Sequence, residues 1–223
     1  MKKQFESTAE WPETKRRLVD AGIGLMRSQG FNATSLDDIC QAAGVTKGGF
    51  FHYFKSKDEV AKAAVTEFTQ ERARIFREAP FRRLADPLAR VLGRLDFAIE
   101  SARAGRLTKG CLIGTLAQEL AFTHPDMRSI CRESLQQVAE DFEKDLSEAK
   151  AAYAPKASFE PKKLASLYVA ATQGSLILAK TSESNKVTAD NLAQLRDFIE
   201  MLFEGRQVSS DKKSAKSAGA DRN

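Results

Sequence analysis

The sequence predicts an all-α protein with nine helices, three in an N-terminal head and six in a larger body. Apolar residues recur with helical spacing along most of the chain, and no stretch alternates apolar and polar residues as a half-buried strand does. Only 13 glycines and 6 prolines occur among 223 residues, and several of them stand where a helix begins or ends. We place the head at residues 1–55, the body at residues 56–205 and a polar, disordered tail at residues 206–223.

The composition excludes several classes of protein. Hydrophobic residues make up 42% of the chain and charged residues 29%, which is typical of a soluble helical protein. No apolar run reaches the roughly 18 residues that indicate a membrane helix, and the N-terminus lacks the apolar core of a secretion signal. The three cysteines are an odd number at irregular spacing, so they do not form a disulfide framework. We therefore expect a cytoplasmic protein without membrane contact.

The head begins with a helix that ends at Gly30. Thr34 or Ser35 then caps a short second helix, and Gly44 ends it, because glycine enters the left-handed conformation at little cost. Thr46 caps a third helix. The basic, small and aromatic residues of that helix are Lys47, Gly48, Gly49, Phe50, His52 and Tyr53. A short helix, a glycine turn and a helix of this kind predict a helix-turn-helix that reads the major groove of DNA.

Six further helices are predicted in the body, each opened by a cap, a proline or a short loop. They begin near Ser56, Asp86, Cys111, Pro125, Pro161 and Thr188. The helix from Cys111 to Phe122 is apolar on most sides, which predicts a buried position. The last two helices carry more apolar surface than one core face needs. This excess indicates a subunit interface, which we favour, or a deep monomeric core.

The helix-turn-helix stretch resembles the DNA-binding domain of the TetR family of bacterial transcriptional regulators. The resemblance rests on a long, ungapped run of matching residues: Thr34, Leu36, Ile39, Ala42, Ala43, Gly44, Val45, Lys47, Gly48, Phe51, Tyr53, Phe54 and Lys57. It implies a dimer whose last two helices form a four-helix interface, and a body that encloses an apolar pocket for a small ligand. Two heads related by two-fold symmetry imply a palindromic operator.

The residues expected at the DNA lie at the capped ends and on the outer face of the helix-turn-helix. Lys47 reaches a base edge or a phosphate, and Lys57, at the start of the fourth helix, meets a phosphate. The other members supply caps, phosphate donors or a close backbone approach. The predicted set is Thr34, Ser35, Thr46, Lys47, Gly48, Gly49, Phe50, His52, Tyr53 and Lys57. Phe51 and Phe54 are expected in the head core. Each residue alone also fits a cap, a packed ring or a solvated charge; their joint order favours DNA.

The body carries no sequence signature of catalysis, of a metal site or of a cofactor. Only two histidines occur, His52 and His124, and there is no phosphate-binding loop, nucleophile elbow or dinucleotide motif. We therefore expect a sensor without a cofactor and not an enzyme. The expected ligand-pocket wall, for which plain core is the alternative, is Phe97, Leu112, Leu116, Phe142 and Tyr168.

The body also resembles the N-ethylmaleimide-sensing, electrophile- and bleach-responsive repressors of the same family. These carry Gly-Cys-Leu at the start of the corresponding helix and a lysine late in the eighth helix, matched here by Cys111 and Lys180. The resemblance implies that Cys111 is the sensor and Lys180 its partner. A helix N-terminus and a nearby ammonium both stabilise the reactive thiolate. The alternative is that Cys111 is a small buried hydrophobe.

The sequence thus predicts a dimeric repressor that leaves its operator when a small molecule or an electrophile acts on the body. Two alternatives stay open at this point. An all-helical enzyme with Cys111 as its nucleophile would lack a histidine base close in sequence. A ligand-independent DNA-binding protein would have no need of so large an apolar body.

Overall fold

The computed structural model describes Thr8, residues 11–107 and residues 110–204, and these ranges contain helices and turns without a strand. The nine α-helices are α1 Glu13–Gln29, α2 Leu36–Ala43, α3 Lys47–Tyr53, α4 Lys57–Glu78, α5 Pro87–Arg103, α6 Leu112–Leu120, α7 Pro125–Tyr153, α8 Pro161–Ser182 and α9 Lys186–Glu204. A 3₁₀ turn at Pro80–Arg83 joins α4 to α5. The predicted all-α fold with nine helices is confirmed for these residues. The predicted tail, residues 206–223, lies outside them.

Two helix ends differ from the sequence prediction by two residues each. The helix expected to reach Phe122 ends at Leu120, whose carbonyl accepts from the amides of Thr123 and His124 in a closing turn. The last helix begins before Thr188, which is buried and donates its hydroxyl to the carbonyl of Ser175 at 3.2 Å. Thr188 therefore links α9 to α8 and does not cap the helix.

Local hydrogen bonds fix the ends of α2. Ser35, and not Thr34, is its N-cap: the Ser35 hydroxyl accepts from the Asp38 amide at 3.0 Å, and the Asp38 carboxylate accepts from the Ser35 amide at 2.8 Å. At the other end Gly44 is left-handed, with φ 62° and ψ 41°. The Arg17 guanidinium of α1 donates to the carbonyls of Ala43 and Gly44. These bonds set the direction in which α3 leaves the turn.

Two apolar cores stabilise the chain. The first contains Leu18 of α1, Ile39 of α2, Phe50 of α3, Val60 of α4 and Leu116 of α6, all fully buried. The helix α6 therefore packs into the same core as the head, although it lies far along the chain. Packing thus crosses residue 55, and the division at 55/56 stays a prediction. The second core joins α5, α7, α8 and α9.

The last two helices present an apolar face to the outside of the protomer. Leu167, Ile177 and Leu178 of α8 and Phe198 and Met201 of α9 are between 41% and 60% exposed. A deep monomeric core would have buried these side chains. Their exposure on two adjacent helices favours the predicted subunit interface, because monomeric surfaces rarely leave such contiguous apolar patches uncovered.

No helix among the described residues is both long and apolar enough to span a bilayer.

Candidate functional site

The outer face of α3 is the candidate DNA-reading surface. Thr46 caps the helix, and its hydroxyl accepts from the Gly49 amide at 3.2 Å. Lys47, Gly48 and His52 are exposed, and Tyr53 is half-buried. The rings of His52 and Tyr53 meet edge to face at 4.7 Å. The face therefore offers a cation, bare backbone and polar ring edges, which are the groups that contact phosphates and base edges.

The structure reverses the predicted roles of two neighbouring phenylalanines. Phe50 was expected at the DNA, but it is fully buried in the head core, and its ring packs 5.9 Å from that of Phe54. Phe51 was expected in the core, but it is 55% exposed. The reason is helical spacing: positions 50 and 54 are four residues apart and share one face, while position 51 points about 100° away. Phe51 thus joins the candidate DNA-reading surface.

The two glycines of α3 serve different purposes. A Cβ added to Gly49 would lie 2.8 Å from Val45 Cγ1, so Gly49 lets α3 pack against the turn. A Cβ on Gly48 would meet only the Thr46 hydroxyl, at 3.9 Å. Protein packing therefore explains Gly49 and leaves Gly48 unexplained. A close approach of DNA to the α3 backbone would explain it.

Thr34 and Lys57 stabilise the turn between α1 and α2. Thr34 is 1% exposed and its hydroxyl donates to the Gly30 carbonyl at 2.6 Å, so the predicted side-chain contact of Thr34 with DNA is wrong. The Lys57 ammonium donates to the carbonyls of Phe31 and Thr34 at 2.8 and 2.7 Å and lies 4.0 Å from the centre of the Phe31 ring. Lys57 therefore has protein partners, which supports a positioning role in place of the predicted phosphate contact.

Lys47 carries the exposed positive charge of α3. Its ammonium lies 2.8 Å from the Asp37 carboxylate of α2, and both side chains are largely exposed. The hydrogen bond to Asp37 raises the pKa of Lys47, so the lysine is fully charged at neutral pH. Exposed pairs of this kind are weak. A phosphate can therefore compete with Asp37 for the lysine.

Cys111 and Lys180 lie on the wall of one cavity in the body. Cys111 is the N-cap of α6 and is 5% exposed. The Lys180 ammonium donates to the Thr115 hydroxyl at 3.2 Å. A Cβ added to Gly110, whose φ is +71°, would lie 2.6 Å from Lys180 Cε. The cavity measures about 290 Å³ and is lined by Cys111, Gly114, Thr115, Gln118, Glu119, Gln173, Leu176, Ile177, Lys180 and Thr181.

A second cation lies near Cys111 and was missed by the sequence analysis. The Arg27 guanidinium of α1 donates to the Gly110 carbonyl at 3.1 and 2.8 Å. Burial lowers the pKa of Arg27, and the charge of the neighbouring Cys111 opposes that lowering. The other two thiols differ: burial raises the pKa of Cys40, and burial together with the charge of Cys111 raises the pKa of Cys131 to about 12. Both are therefore poor nucleophiles at neutral pH.

A larger cavity, of about 370 Å³, lies between α4, α5 and α7. Its wall is Thr69, Arg72, Ala73, Phe76, Arg77, Arg82, Arg94, Ile113, Ser134, Gln137, Val138, Glu140, Asp141 and Lys144. Ten of these fourteen residues are polar or charged, and none of the five residues predicted for the wall of a ligand pocket is among them.

The predicted wall residues lie elsewhere. Leu112, Leu116 and Phe142 are fully buried core residues. Phe97 packs 5.5 Å from the ring of Phe76. Tyr168 alone of the five borders one of the described cavities, a narrow one of about 10 Å³. Within the described part of the chain, no cluster of histidine, cysteine and carboxylate side chains is arranged to hold a metal ion.

Both ends of α6 are attached to the head. The Glu119 carboxylate accepts from the backbone amides of Phe31 and Asn32, at 3.1 and 2.8 Å, in the turn between α1 and α2. At the other end, Arg27 of α1 holds the Gly110 carbonyl. A displacement of α6 therefore acts directly on the elements that position the helix-turn-helix.

Comparisons with known proteins agree with this architecture. A family profile described as "Bacterial regulatory proteins, tetR family" matches residues 18–64, and a second, "Tetracyclin repressor-like, C-terminal domain", matches residues 87–195. The transcriptional regulator AcuR of Cereibacter sphaeroides is 28% identical over 163 residues, which cover 73% of this chain and 74% of the relative.

Two further proteins are similar along most of their length. A solved regulatory protein TetR from Rhodobacter sphaeroides is 27% identical with a TM-score of 0.73, over 86% of this chain and all of that one. The transcriptional repressor NemR of Escherichia coli is 24% identical over 198 residues, 84% of this chain and 94% of the relative. The structure of its reduced form shares the fold, with a TM-score of 0.69 over 82% of this chain and 96% of that one. Because the two profiles together cover most of the chain and the helical architecture agrees, this chain belongs to the TetR family of bacterial transcriptional regulators.

Proposed function

We propose that this protein is a dimeric repressor of the bacterial cytoplasm. Its two heads bind a palindromic operator, and a small molecule or an electrophile acting on the body releases them. The observation that carries the proposal is the position of α6, which borders the cavities of the body and is bonded to the head at both of its ends.

Dimerisation through α8 and α9 sets the spacing of the two heads. The exposed apolar residues of these two helices supply the contact. A Cβ added to Gly174 would have no atom within 4 Å, so α8 leaves room there for a partner helix. Two recognition helices related by a two-fold axis meet successive major grooves about 34 Å apart, or a multiple of that distance. Any change in the relative position of the heads then weakens both half-site contacts together.

An electrophile would act through Cys111. Its sulfur lies at the N-terminus of α6, on the wall of a cavity that could admit a small electrophile, with Arg27 and Lys180 nearby. The thiolate adds to the double bond of a maleimide, and the neighbouring carbon takes a proton from water. The adduct would occupy the cavity that Cys111 lines between α6 and α8, and we expect its bulk to displace α6. That movement reaches the head through Arg27 and Glu119.

The test follows operator binding after treatment with N-ethylmaleimide, with DNA from the promoter region of the protein's own gene. We expect wild type to lose DNA and to carry the label on Cys111, and Cys111→Ser to keep DNA. Cys131→Ser is the matched control and should respond as wild type, because burial keeps the Cys131 thiol protonated. Lys180→Met should slow the labelling of Cys111.

If wild type and Cys111→Ser lose DNA equally, or if neither does, Cys111 is a core residue and release requires a noncovalent ligand. If wild type does not bind promoter DNA at all before treatment, the repressor proposal itself is contradicted.

A further inference from the structure

A buried guanidinium forms part of the wall of the larger cavity between α4, α5 and α7. Arg94 of α5 is 2% exposed. Its central carbon lies 4.9 Å from the ring centre of Phe76, 5.2 Å from that of Phe142 and 5.6 Å from that of Tyr168. Three aromatic rings on different helices thus hold the guanidinium in one position.

The hydrogen bonds of this guanidinium are incomplete. Arg94 Nη1 donates to the Asp141 carboxylate at 2.7 Å. Arg94 Nε is buried and has no acceptor among the described residues. Asp141 is shared, because Arg82 also pairs with it. Buried N–H groups are very rarely left without a partner, and a charged one still more rarely. The wall of the cavity therefore lacks an acceptor for Arg94.

The cavity as a whole is cationic. Its wall includes five cationic side chains against two carboxylates. Burial raises the pKa of Asp141, but the hydrogen bond from Arg94 and the charges of Arg94, Arg82 and Lys144 outweigh this effect, so its pKa lies below the usual value. Asp141 is therefore ionised, and with its charge counted the cationic side chains of the wall still outnumber the carboxylates. The remaining wall includes Phe76, which offers apolar surface beside the charges.

A second orphaned donor lies in the adjoining narrow cavity. The Tyr168 hydroxyl is buried and has no partner among the described residues. This cavity shares the wall residues Arg72, Ile113 and Val138 with the larger one, so the two lie side by side. Ile113 belongs to α6. An occupant of this space would therefore touch the helix that is bonded to the head.

We propose that this space binds a small monocarboxylate with a short apolar body, whose carboxylate pairs with the Arg94 guanidinium. The inference rests on the proposed function, because this carboxylate would be the small molecule that releases the repressor from its operator without a covalent bond. A planar carboxylate matches the planar guanidinium, and the apolar body contacts Phe76, Ile113 and Val138. The volume of about 370 Å³ is at the lower end of the range for ligand pockets, which selects a small molecule.

The experiment measures direct binding by isothermal titration calorimetry to the full-length protein in moderate salt. The probes are benzoate and butyrate, each paired with its neutral amide, and inorganic sulfate as an anion without an apolar body. Each acid should bind at least about tenfold more tightly than its amide, because a charge-assisted hydrogen bond from a guanidinium to a carboxylate is stronger than one to a neutral carbonyl. Sulfate should bind more weakly than either acid. This comparison needs no variant.

Variants then assign the site. Arg94→Met should abolish the preference for the acid, and Arg94→Lys should reduce it, because lysine lacks the planar fork. The matched control is Arg103→Met, which removes an exposed arginine from the same helix and should change nothing. Circular dichroism confirms that each variant is folded.

Three results would overturn the carboxylate site: equal binding of acid and amide, sulfate binding as tightly as the acids, or a preference for the acid that survives in folded Arg94→Met. Absence of binding by both acids at millimolar concentration would also overturn it. Operator release is measured separately by gel shift. Binding through Arg94 without any release would support the site and contradict its role as an inducer site.

Discussion

Removing the Glu119 carboxylate should loosen the head from the body. In the wild type this carboxylate accepts from the amides of Phe31 and Asn32 at 3.1 and 2.8 Å. Glu119→Ala leaves both amides without this acceptor. The amide of Phe31 is partly buried, so water replaces the lost bond poorly there, whereas the amide of Asn32 is exposed and can bind water.

The magnitude follows from these two environments. A hydrogen bond to a charged group contributes about 1.5–3 kcal/mol when it is buried, and less when water competes. We therefore expect Glu119→Ala to lower the free energy of unfolding by about 2–3 kcal/mol, most of it from Phe31. At roughly 2–4 °C per kcal/mol for a chain of this size, Tm should fall by roughly 4–12 °C.

The assay is thermal unfolding by circular dichroism at a fixed protomer concentration, because dimerisation couples Tm to concentration. Hydrogen exchange at the amides of Phe31 and Asn32 locates the change. The matched control is Gln118→Ala on the same helix, whose exposed side chain donates to the Gly114 carbonyl within α6. This variant should stay within about 0.5 kcal/mol of wild type. A Glu119→Ala protein as stable as this control would refute the reasoning.

The remaining predictions concern the DNA-reading and dimer surfaces. Gly48→Ala and its control Gly24→Ala should each stabilise the fold by up to about 1 kcal/mol, because neither added Cβ meets a close neighbour. Only Gly48→Ala should weaken operator binding in a gel shift. Equal operator affinity of the two variants would remove the start of α3 from the interface. Wild type should scatter light as a dimer, at twice 24.6 kDa. Met201→Glu should shift the protein towards monomer, because it would bury a charge in the dimer interface. The control Leu84→Glu, at an exposed apolar residue away from α8 and α9, should leave the dimer intact. A monomeric wild type at micromolar concentration contradicts the interface.

The helices could be predicted from the sequence because their signals are local. Each of these signals acts within one turn of the chain: the caps Ser56 and Asp86, the left-handed Gly44 and the prolines that open α7 and α8. The structure places helix ends at or beside all of them. Thr188 is the exception. Its side chain could cap a helix, but its hydroxyl instead donates to the Ser175 carbonyl of α8, inside the contact between α8 and α9.

The site was less predictable because its geometry depends on which face of a helix each residue occupies and on distant partners. The choice between Phe50 and Phe51 depended on the phase of a helix of only seven residues, too short for periodicity to settle. Lys57 bonds to carbonyls more than 20 residues away, and no local pattern encodes that contact.

The wall of the larger cavity shows the same limit. Apolar spacing locates residues that fill a core, and the predicted wall residues Leu112, Leu116 and Phe142 do fill it. Most residues of the wall itself are of polar or charged types, and in the sequence Arg94 looks like an ordinary surface charge. Only the packing of three rings around it shows that it is buried.

Reciprocity of binding follows from the double attachment of α6 to the head. If a reversibly bound ligand that displaces α6 lowers the affinity for the operator by some factor, thermodynamic linkage requires operator DNA to lower the affinity for that ligand by the same factor. Promoter occupancy would then set the ligand concentration at which the repressor responds. A protein bound to a strong operator would need more inducer than the same protein at a weak one, with no change in any residue of the cavity.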